Sequence, residues 1–563
     1  MFKGIGASAG IGIGRAVLVR EPDLSYAHVT FAGQEAEQSR LTAAVAAFTQ
    51  RTRGMAEKMK AQVGSQQAEI LLGQIMMIQD PYMTGQMKEL IAAGRCAEAA
   101  LDTVCRMYIE IFSSMEDELM RQRATDVEDL RIRILMILLG QEGLDLSNLP
   151  ADTVLVAHDL TPSMTAELKR GSIAGILTEV GGTTSHAAIL ARTMELPAVL
   201  CVNGLIEKVK DGDVLILDGG EGIAISDPDE TTLARYQRRQ ARFREARAAL
   251  IRFAGKPTRT KDGYTVALYG NIGNPEHAEQ VMEATGEGVG LFRTEFLFMD
   301  RESLPTEEEQ FEAYRRAVEI MDGREVIIRT LDVGGDKNIP YLRLEKEENP
   351  FLGFRAVRYC LEREEVFVPQ LRALLRASAC GDLKIMLPLV TNLEELRRTR
   401  ALLEKLKGEL EVAGVPYNRE VKLGVMIETP AAALIADLLA KEADFFSIGT
   451  NDLTQYVMAA DRGNQNVSAL GVPFQPAVLR AIQSIIAAGH SAGIPVGMCG
   501  EAAADPNMIP LLLSFGLDEF SVSPSAILQT RKSIAGWSKA EADDLAGRVM
   551  SSGTLEEVRA CFT

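Results

Sequence analysis

The chain has 563 residues and a formal net charge of -18, with 47% of its residues hydrophobic and 25% charged. This balance is that of a folded globular protein, and the length exceeds what one hydrophobic core supports, so extensive disorder and a single domain are both excluded as first expectations. The acidity argues against a nucleic-acid binder, because phosphate backbones require a positively charged surface.

The N-terminal segment MFKGIGASAGIGIGRAVLV is glycine-rich and lacks the continuous apolar stretch of a secretory signal. No apolar run in the sequence approaches the roughly 18 residues that a membrane-spanning helix requires. The 7 cysteines are an odd number with no C-x-x-C pair among them, which excludes a disulfide framework and fits a reducing compartment. We therefore expect a cytoplasmic protein with no membrane contact.

In the first part of the chain the predicted secondary structure changes twice. Residues 12–20 are strand-like, whereas residues 34–140 have few glycines and apolar residues at helical spacing, as in AEILLGQIMMIQD. Short β-branched runs then return: TVLVAHDL, GILTEV, AVLCVNG, DVLILDGG and GIAIS. The pattern predicts about four helices of bundle type inserted between the first strand and the rest of a small α/β domain.

A charged segment follows, DPDETTLARYQRRQARFREARAALIRF, in which Tyr236, Phe243 and Leu250 recur every seven residues. This spacing predicts a connecting helix with one apolar stripe that packs on a partner. The alternative, a basic arm for nucleic acid, is disfavoured by the acidity of the whole chain.

Beyond residue 261 strands and helices alternate, with eight strand candidates: YTVALYG, GVGLF, EVIIRTL, KIMLPLV, KLGVMIE, FFSIG, PVGMCG and EFSVS. About 300 residues in eight βα repeats are typical of a TIM barrel. The fold prediction is a multidomain α/β protein with four parts: an α/β domain (1–24 and 144–226), an inserted helical domain (25–143), a linker helix (227–256) and a (β/α)8 TIM barrel (257–563).

Barrel active sites lie at the carboxyl ends of the strands. The residues expected there are Asn271, Arg293, Arg329, Glu428, Asn451, Asp452 and Cys499, with Arg355 and Arg462 close by. Arginines repel one another, so their cluster requires an anion, and guanidinium groups fit phosphate and carboxylate. Glu428 and Asp452 could share a hard cation such as magnesium. For any one of these residues a surface ion pair remains the alternative, and for Cys499 an inert buried thiol.

His186 follows a glycine pair and three hydroxyl residues in EVGGTTSHAAILAR, at the predicted start of a helix. Free backbone N–H groups at a helix start favour an anion, which a phosphoryl group on the imidazole would supply. On the local pattern alone, a hydrogen-bonded helix-end histidine is an equally good interpretation. His28, His158, His277 and His490 have no comparable setting.

The sequence resembles enzyme I of the bacterial sugar phosphotransferase system, the phosphoenolpyruvate-protein phosphotransferase, over the whole chain. GGTTSHAAILAR resembles its phosphohistidine motif. The barrel motifs are GVGLFRTEFLFMDR, IIRTLDVGGDK, EENPFLGFRAVR, VMIETPAA, FFSIGTNDLTQY, DRGN and GMCGE. The resemblance implies that phosphoenolpyruvate phosphorylates a histidine, releasing pyruvate, and that the phosphohistidine then phosphorylates the carrier protein HPr.

The resemblance also implies roles for residues of this chain. His186 would be the phosphorylated nucleophile and Cys499 the acid that protonates the enolate. Glu428 and Asp452 would hold Mg²⁺, and Thr165 would hydrogen-bond the histidine. The substrate would be bound by Arg293, Arg329, Arg355, Arg462, Asn451 and Asp452. The inserted helical domain would bind HPr, and the barrel would form a homodimer.

Two other interpretations remain open. A pyruvate phosphate dikinase or phosphoenolpyruvate synthase shares these domains but needs a large nucleotide-binding domain, and only about 250 residues precede the barrel, with no G-x-x-x-x-G-K-[ST] motif. A catalytically silent regulatory scaffold is disfavoured because His186, Cys499 and the charged set are all present.

Overall fold

The computed structural model describes the whole chain except residues 21, 63–64, 116–117, 142–145, 169–172, 183–184, 195, 300, 302, 335–338, 346, 462–463, 465 and 563. It divides into two compact units, Met1–Arg247 and Ala248–Thr563. Across the described ranges, no helix combines the length and the apolar character needed to traverse a bilayer.

The first unit contains an eight-stranded sheet. Its strands are β1 (Phe2–Lys3), β2 (Ile5–Ser8), β3 (Ile11–Leu18), β4 (Thr153–Ala157), β5 (Gly175–Thr178), β6 (Ala198–Leu200), β7 (Val214–Asp218) and β8 (Ile223–Ser226), in the order β1-β8-β7-β3-β4-β5-β6-β2. Strand β3 pairs with β4 in parallel, although more than a hundred residues separate them in the chain. The strand before the helical segment and the strands after it therefore belong to one sheet.

Five helices occupy the segment between β3 and β4: α1 (Gln34–Gln62), α2 (Ser65–Gln79), α3 (Pro81–Ala92), α4 (Ala97–Ser113) and α5 (Glu118–Leu139). We call them the helical block. Their apolar faces meet in a core of their own that includes Phe48, Ile78, Leu101 and Leu130. Helix α3 begins where Asp80 accepts hydrogen bonds from the backbone of Tyr82 and Met83, with proline at its first position.

Three more helices complete the unit and lead out of it: α6 (Pro162–Glu167), α7 (His186–Thr193) and α8 (Glu230–Ile251). Helix α8 is the predicted linker helix. Of its expected stripe, Tyr236 is buried against Ile11 and Ile216, whereas Phe243 is 42% exposed. Seven residues advance a helix by about 10 Å, which carries Phe243 past this small cluster.

The second unit is a closed barrel of eight parallel strands. They are β9 (Ala267–Ile272), β10 (Val289–Phe292), β11 (Val326–Arg329), β12 (Leu383–Leu387), β13 (Lys422–Ile427), β14 (Phe446–Ile448), β15 (Val496–Met498) and β16 (Glu519–Val522), and β16 closes on β9. One strand lies in each of the eight predicted segments. The predicted α/β fold class, with its helical block and its TIM barrel, is confirmed.

The barrel's helices are α9 (His277–Glu283), α10 (Glu307–Ile320), α11 (Ala356–Glu362), α12 (Glu364–Ala377), α13 (Leu393–Val412), α14 (Pro430–Leu434), α15 (Ala436–Leu439), α16 (Thr450–Val457), α17 (Pro476–Ala492), α18 (Met508–Phe515), α19 (Ile527–Ala535), α20 (Lys539–Met550) and α21 (Leu555–Ala560). Alternate strand residues such as Phe292 and Ile328 belong to the main core with these helices. Their neighbours Leu291 and Ile327 form a separate cluster with Cys499, which therefore faces the barrel interior.

Candidate active site

The carboxyl ends of the barrel strands bring together most of the predicted site residues. Arg293 directly follows β10, Arg329 ends β11, Glu428 directly follows β13 and Cys499 directly follows β15. Asn451 and Asp452 lie in the first turn of α16, just after β14. Because all eight strands are parallel and the barrel is closed, these positions share one rim, which we call the barrel mouth.

Two arginines at the mouth are held by carboxylates. Arg329 Nη2 lies 2.9 Å from Glu295 Oε1, and Arg329 Nη1 lies 3.0 Å from Asp332 Oδ2. Asp332 also binds Arg355, whose Nη2 lies 2.9 Å from Oδ1. The backbone N–H of Asp332 donates to Glu295 Oε1 at 3.1 Å. Asp332 therefore connects the arginine at the end of β11 with the arginine just before α11, at the two ends of one connecting segment, and fixes their separation.

Arg329 is buried yet remains charged. Burial alone would lower its pKa, but the carboxylates of Glu295 and Asp332 outweigh that effect and hold the pKa above its ordinary value. Its Nε atom is buried and has no hydrogen-bond partner within the described part of the chain. A buried charged donor without a partner is unfavourable, so this atom is suited to an anionic ligand oxygen.

Arg355 stands at a strained point of the backbone. It immediately precedes α11, and the next residue, Ala356, has a positive φ of 52°. A non-glycine residue in this region costs about 1 kcal/mol or more, and such strain clusters at functional sites. The Arg355 guanidinium also lies over the Phe351 ring, 5.5 Å from its centre. Ring and carboxylate together restrict the guanidinium to one direction.

The other two predicted arginines are Arg293 and Arg462. Arg293 is exposed, its backbone N–H donates to Ile272 O at 3.0 Å, and no ion pair to its side chain exists among the described residues. A fixed backbone with an uncommitted guanidinium suits a ligand-binding arginine. Arg462 lies outside the described residues.

Glu428 is the most deeply buried carboxylate of the mouth, 2% exposed. Its Oε1 accepts a 2.6 Å hydrogen bond from the backbone of Leu389, whose φ of 53° turns that N–H inward. Burial, together with the nearby carboxylates of Asp332 and Asp452, raises the pKa of Glu428 to about 8. The crowding of carboxylates favours a bound cation.

Glu428 and Asp452 fit a magnesium ion by donor chemistry. Both offer carboxylate oxygens, and Mg²⁺ in phosphoryl-transfer enzymes commonly takes one or two carboxylates plus substrate phosphate and water. Within the described ranges no group of three or more His, Cys, Asp or Glu side chains could hold a metal alone.

The loops after β14 and β15 are packed against each other. A side chain at Gly500 would collide with the hydroxyl and backbone of Thr450, so only glycine permits this approach. The backbone N–H of Glu501 donates to Asn451 Oδ1 at 3.4 Å. The turn that carries Asn451 and Asp452 is thereby fixed next to Cys499.

Cys499 is buried at the top of the barrel interior, 4% exposed. Its thiol lies 3.8 Å from Ile448 O, and burial raises the pKa of the thiol to about 11. Cys499 is therefore a protonated thiol at neutral pH and suits the role of a proton donor rather than a thiolate nucleophile. Asn271 fixes its backbone, because Asn271 Nδ2 donates to Cys499 O at 3.0 Å and to Ser521 O at 3.2 Å.

His186 is the first residue of α7 in the other unit. Ser185 caps this helix by accepting a hydrogen bond from Ala188 N at 3.3 Å, and Gly181 takes a φ of 111° in the turn before it. The start of α7 therefore has the predicted geometry of a capped helix after a glycine turn. The side chains of His186 and of Thr165, which lies in α6, are outside the described part of the structure, as is all of Thr183.

Sequence reasoning missed Glu295 and Asp332, the two carboxylates that hold the arginines. Glu295 stands two residues after Arg293 in FRTEF but pairs with Arg329, so its position in the sequence does not indicate its partner. Asp332 stands three residues after Arg329 in RTLDV, and Arg329 is one of its partners. For Asp332, this closeness to a strand-end arginine was a usable signal.

Comparison with protein-family models gives three matches along the chain. Residues 3–123 match the N-terminal domain of PEP-utilising enzymes, residues 149–222 match their mobile domain, and residues 247–538 match their PEP-binding domain. The barrel mouth described above lies within the last match, and His186 lies within the second.

Three curated proteins similar to this chain bear the name phosphoenolpyruvate-protein phosphotransferase. The phosphoenolpyruvate-protein phosphotransferase of Priestia megaterium is 45% identical over 99% of this chain and 97% of its own length. The proteins of that name from Bacillus subtilis and from Listeria monocytogenes are 45% and 46% identical, each over 99% of this chain and 98% of its own length.

Proposed function

Since this chain belongs to the family of phosphoenolpyruvate-protein phosphotransferases, we propose that it carries out the first step of a sugar phosphotransferase system. The phosphoryl group of phosphoenolpyruvate is transferred to His186 and then to a histidine of HPr, and pyruvate is released. The observation that carries the proposal is the barrel mouth, where arginines, carboxylates and a protonated thiol from separate strand ends share one rim.

The arginines bind the substrate in this proposal. Phosphoenolpyruvate bears a phosphate and a carboxylate, and the forked guanidinium group matches both. Arg329 and Arg355, already oriented by Asp332, contact the substrate together with the exposed Arg293. We assign Arg462, Asn451 and the start of α16 with Asp452 to the same task. Fixed positive charge offsets the charge of the transferring phosphoryl group.

Glu428 and Asp452 are the proposed magnesium ligands. When bound there, Mg²⁺ would supply further neutralisation of the phosphate charge. The raised pKa of Glu428, caused by burial and by the carboxylates of Asp332 and Asp452, supports this assignment.

His186 takes part in the phosphoryl transfer and Cys499 in the proton transfer that follows it. A nitrogen of His186 forms a bond to phosphorus while the bond from phosphorus to the enol oxygen breaks. The enolate that leaves takes a proton at its methylene carbon from the Cys499 thiol, giving pyruvate. The pKa of Cys499, raised to about 11 by burial, keeps that proton in place until the enolate forms.

The four domains take matching roles. We assign 1–24 and 144–226 as the phosphohistidine domain, 25–143 as the HPr-binding domain, 227–256 as the linker and 257–563 as the barrel that binds phosphoenolpyruvate and forms a homodimer. Thr165 supports His186. The enzyme acts in the cytoplasm, because HPr is its acceptor.

The test is covalent labelling. The protein is incubated with magnesium and phosphoenolpyruvate labelled in its phosphate, and the label is assayed for the acid lability and alkali stability of a phosphohistidine. We expect one labelled peptide containing His186, which purified HPr discharges, and no label on His186→Ala.

His277 provides the matched control histidine. It lies in α9, where Gly273 N–H donates to its Nδ1 at 3.4 Å and its Nε2 lies 3.3 Å from Asn274 Nδ2. Its Nδ1 is thus engaged as an acceptor, so His277→Gln should take up label as the wild type does. Label on His186→Ala would contradict the proposal, and a requirement for ATP would favour a dikinase instead.

A further inference from the structure

Helix α6 occupies the junction between the helical block and helix α7, and it contacts α1, α2, α5 and α7. One of its side chains, Ala166, is buried with Met59 and Leu71 of the block. Another, Met164, packs against the cluster that contains Ala187 of α7. The short helix α6 therefore contacts both the helical block and α7, and its position determines where the two lie relative to each other.

A buried polar network crosses this junction. Ser163 of α6 donates from Oγ to Asp129 Oδ1 of α5 at 2.6 Å, and Gln74 of α2 donates from Nε2 to Asp129 Oδ2 at 2.9 Å. Arg133 extends it, donating to Gln74 Oε1 at 3.3 Å and to Thr52 Oγ1 of α1 at 2.7 Å. Asp129 is 2% exposed and Ser163 7%. Both oxygens of one buried carboxylate are thus satisfied by two different helices.

This hydrogen-bond network restricts the movement of α6 in a way that apolar packing does not. Contacts between Ala166 and the block tolerate small sliding movements, because the attraction is not directional. Hydrogen bonds to a buried carboxylate need defined distances and angles, and breaking one leaves a desolvated polar atom. The Ser163–Asp129 bond therefore holds α6 in one register against α5, and with it the adjoining α7.

We propose that Asp129 and Ser163 are positioning residues that fix the helical block relative to the start of α7, and thereby govern phosphoryl transfer from His186 to a carrier protein docked on the block. This inference rests on the proposed function. In the transfer step the nitrogen–phosphorus bond at His186 breaks and one forms on the carrier's histidine. Asp129 and Ser163 touch neither atom and act only through the placement of the two bodies.

The two half-reactions should respond differently to a loosened junction. The carrier is held by the block while the phosphoryl group is held on α7, so their separation depends on α6. Phosphoenolpyruvate is bound by the barrel, and the step from it does not require the block in a fixed place. A misplacement of about 1 Å between reacting groups lowers a rate by about 100-fold.

The test measures both steps by rapid quench on the full-length protein. For Ser163→Ala and Asp129→Asn we expect the maximal rate of transfer to HPr to fall about 10- to 100-fold. The KM for HPr and the rate of labelling from phosphoenolpyruvate should stay within about twofold of the wild type, because neither docking surface nor barrel is altered. Ser163→Thr, which keeps the hydroxyl, should restore the transfer rate.

Ser491→Ala is the matched control, since Ser491 is an exposed hydroxyl of α17 in the barrel whose Oγ donates to Ala487 O at 2.8 Å. It should change neither step. Equal losses in both steps for Ser163→Ala, or no loss in either, would overturn the inference. If Asp129→Asn does not fold, Ser163→Ala decides, because Asp129 then keeps its bond from Gln74. Absence of label on the wild type would instead sink the proposed function itself.

Discussion

The barrel mouth and the start of helix α7 are built in opposite ways. At the mouth, Asp332 joins Arg329, at the end of β11, to Arg355, just before α11, and Cys499 stands on another strand end. At the start of α7, one residue, His186, follows a cap made by its neighbour Ser185. The first arrangement exists only when the barrel is closed, whereas the second needs little beyond one turn and one helix.

This difference suits the two tasks that we propose. A site that binds a small, highly charged anion and neutralises its charge requires many groups fixed in advance, because preorganised charge is what stabilises the transition state. A group that accepts a phosphoryl and delivers it elsewhere requires access more than enclosure. Substitutions at the mouth should therefore mainly change the rate of the reaction or the binding of the substrate. Substitution of the cap of α7 should mainly change the stability of that helix.

The largest effect is expected at the mouth for Cys499→Ala. Removal of the proposed acid should slow pyruvate formation by about 100- to 10,000-fold, with phosphoenolpyruvate affinity little changed, because the thiol acts only after the phosphoryl group has left. Pyruvate release in a single turnover measures it. Cys360→Ala is the control, since Cys360 is an equally buried barrel thiol that bonds to Leu331 O at 3.8 Å. Equal slowing in both variants would remove Cys499 from the mechanism.

A smaller effect on activity is expected for Asp332→Asn, because this change weakens the two ion pairs by which Asp332 holds Arg329 and Arg355. Each charge-assisted hydrogen bond contributes about 1.5–3 kcal/mol, so the KM for phosphoenolpyruvate should rise about 10- to 100-fold. Steady-state kinetics measure it. Glu319→Gln is the control, because Glu319 pairs with Arg315 at 2.7 Å on the barrel surface, where such pairs contribute little. An unchanged KM for Asp332→Asn would contradict the account of the mouth.

Substitution of Asp126, in α5 of the first unit, should affect stability. Burial raises the pKa of Asp126 to about 6, above its value near 4 in an unfolded chain. A carboxyl with a raised folded pKa contributes stability below its unfolded pKa and loses that contribution as pH rises through the folded value. Asp126→Asn should therefore raise the free energy of opening of α5 by roughly 1–3 kcal/mol at pH 7.5, and by little near pH 4.

Hydrogen exchange of peptides from α5, measured at several pH values, tests the Asp126 prediction. A gain in protection that is the same at pH 4 and pH 7.5 would show that the carboxyl group of Asp126 is not the cause.

The smallest effect is expected for Ser185→Ala, which removes the cap of α7. Loss of an N-cap costs about 1 kcal/mol, so hydrogen exchange in α7 should become about fivefold faster while labelling from phosphoenolpyruvate continues. Ser185→Thr keeps a capping hydroxyl and should exchange as the wild type does. A complete loss of labelling in Ser185→Ala would mean that the helix start does more than we propose.

The same contrast explains what the sequence could predict. Strand runs such as KLGVMIE are long enough and apolar enough to be recognised alone, and eight of them in order with helices predict the barrel. Likewise, the glycine pair and hydroxyl residues before His186 predict a helix start, because capping is local. These are features in which neighbouring residues determine the structure.

Features that depend on distant residues were less accessible. The sequence placed Arg329 at a strand end but did not reveal that Asp332 bridges it to Arg355, since the partner of an ion pair is chosen by the fold. Phe243 looked like a core residue by its spacing, yet the sheet beneath α8 buries only Tyr236. The Ser163–Asp129 hydrogen bond joins residues 34 apart in sequence, and no periodic pattern of the sequence predicts it.

We propose that the barrel mouth binds the phosphoryl donor and that His186, in the other unit, is the acceptor, and Arg293→Gln tests this division most directly. Arg293 makes no ion pair among the described residues, so the substitution should leave the barrel folded. We predict that Arg293→Gln is labelled on His186 by phosphorylated HPr at the wild-type rate, while its labelling by phosphoenolpyruvate falls at least about 100-fold. Equal impairment with both donors would contradict the account.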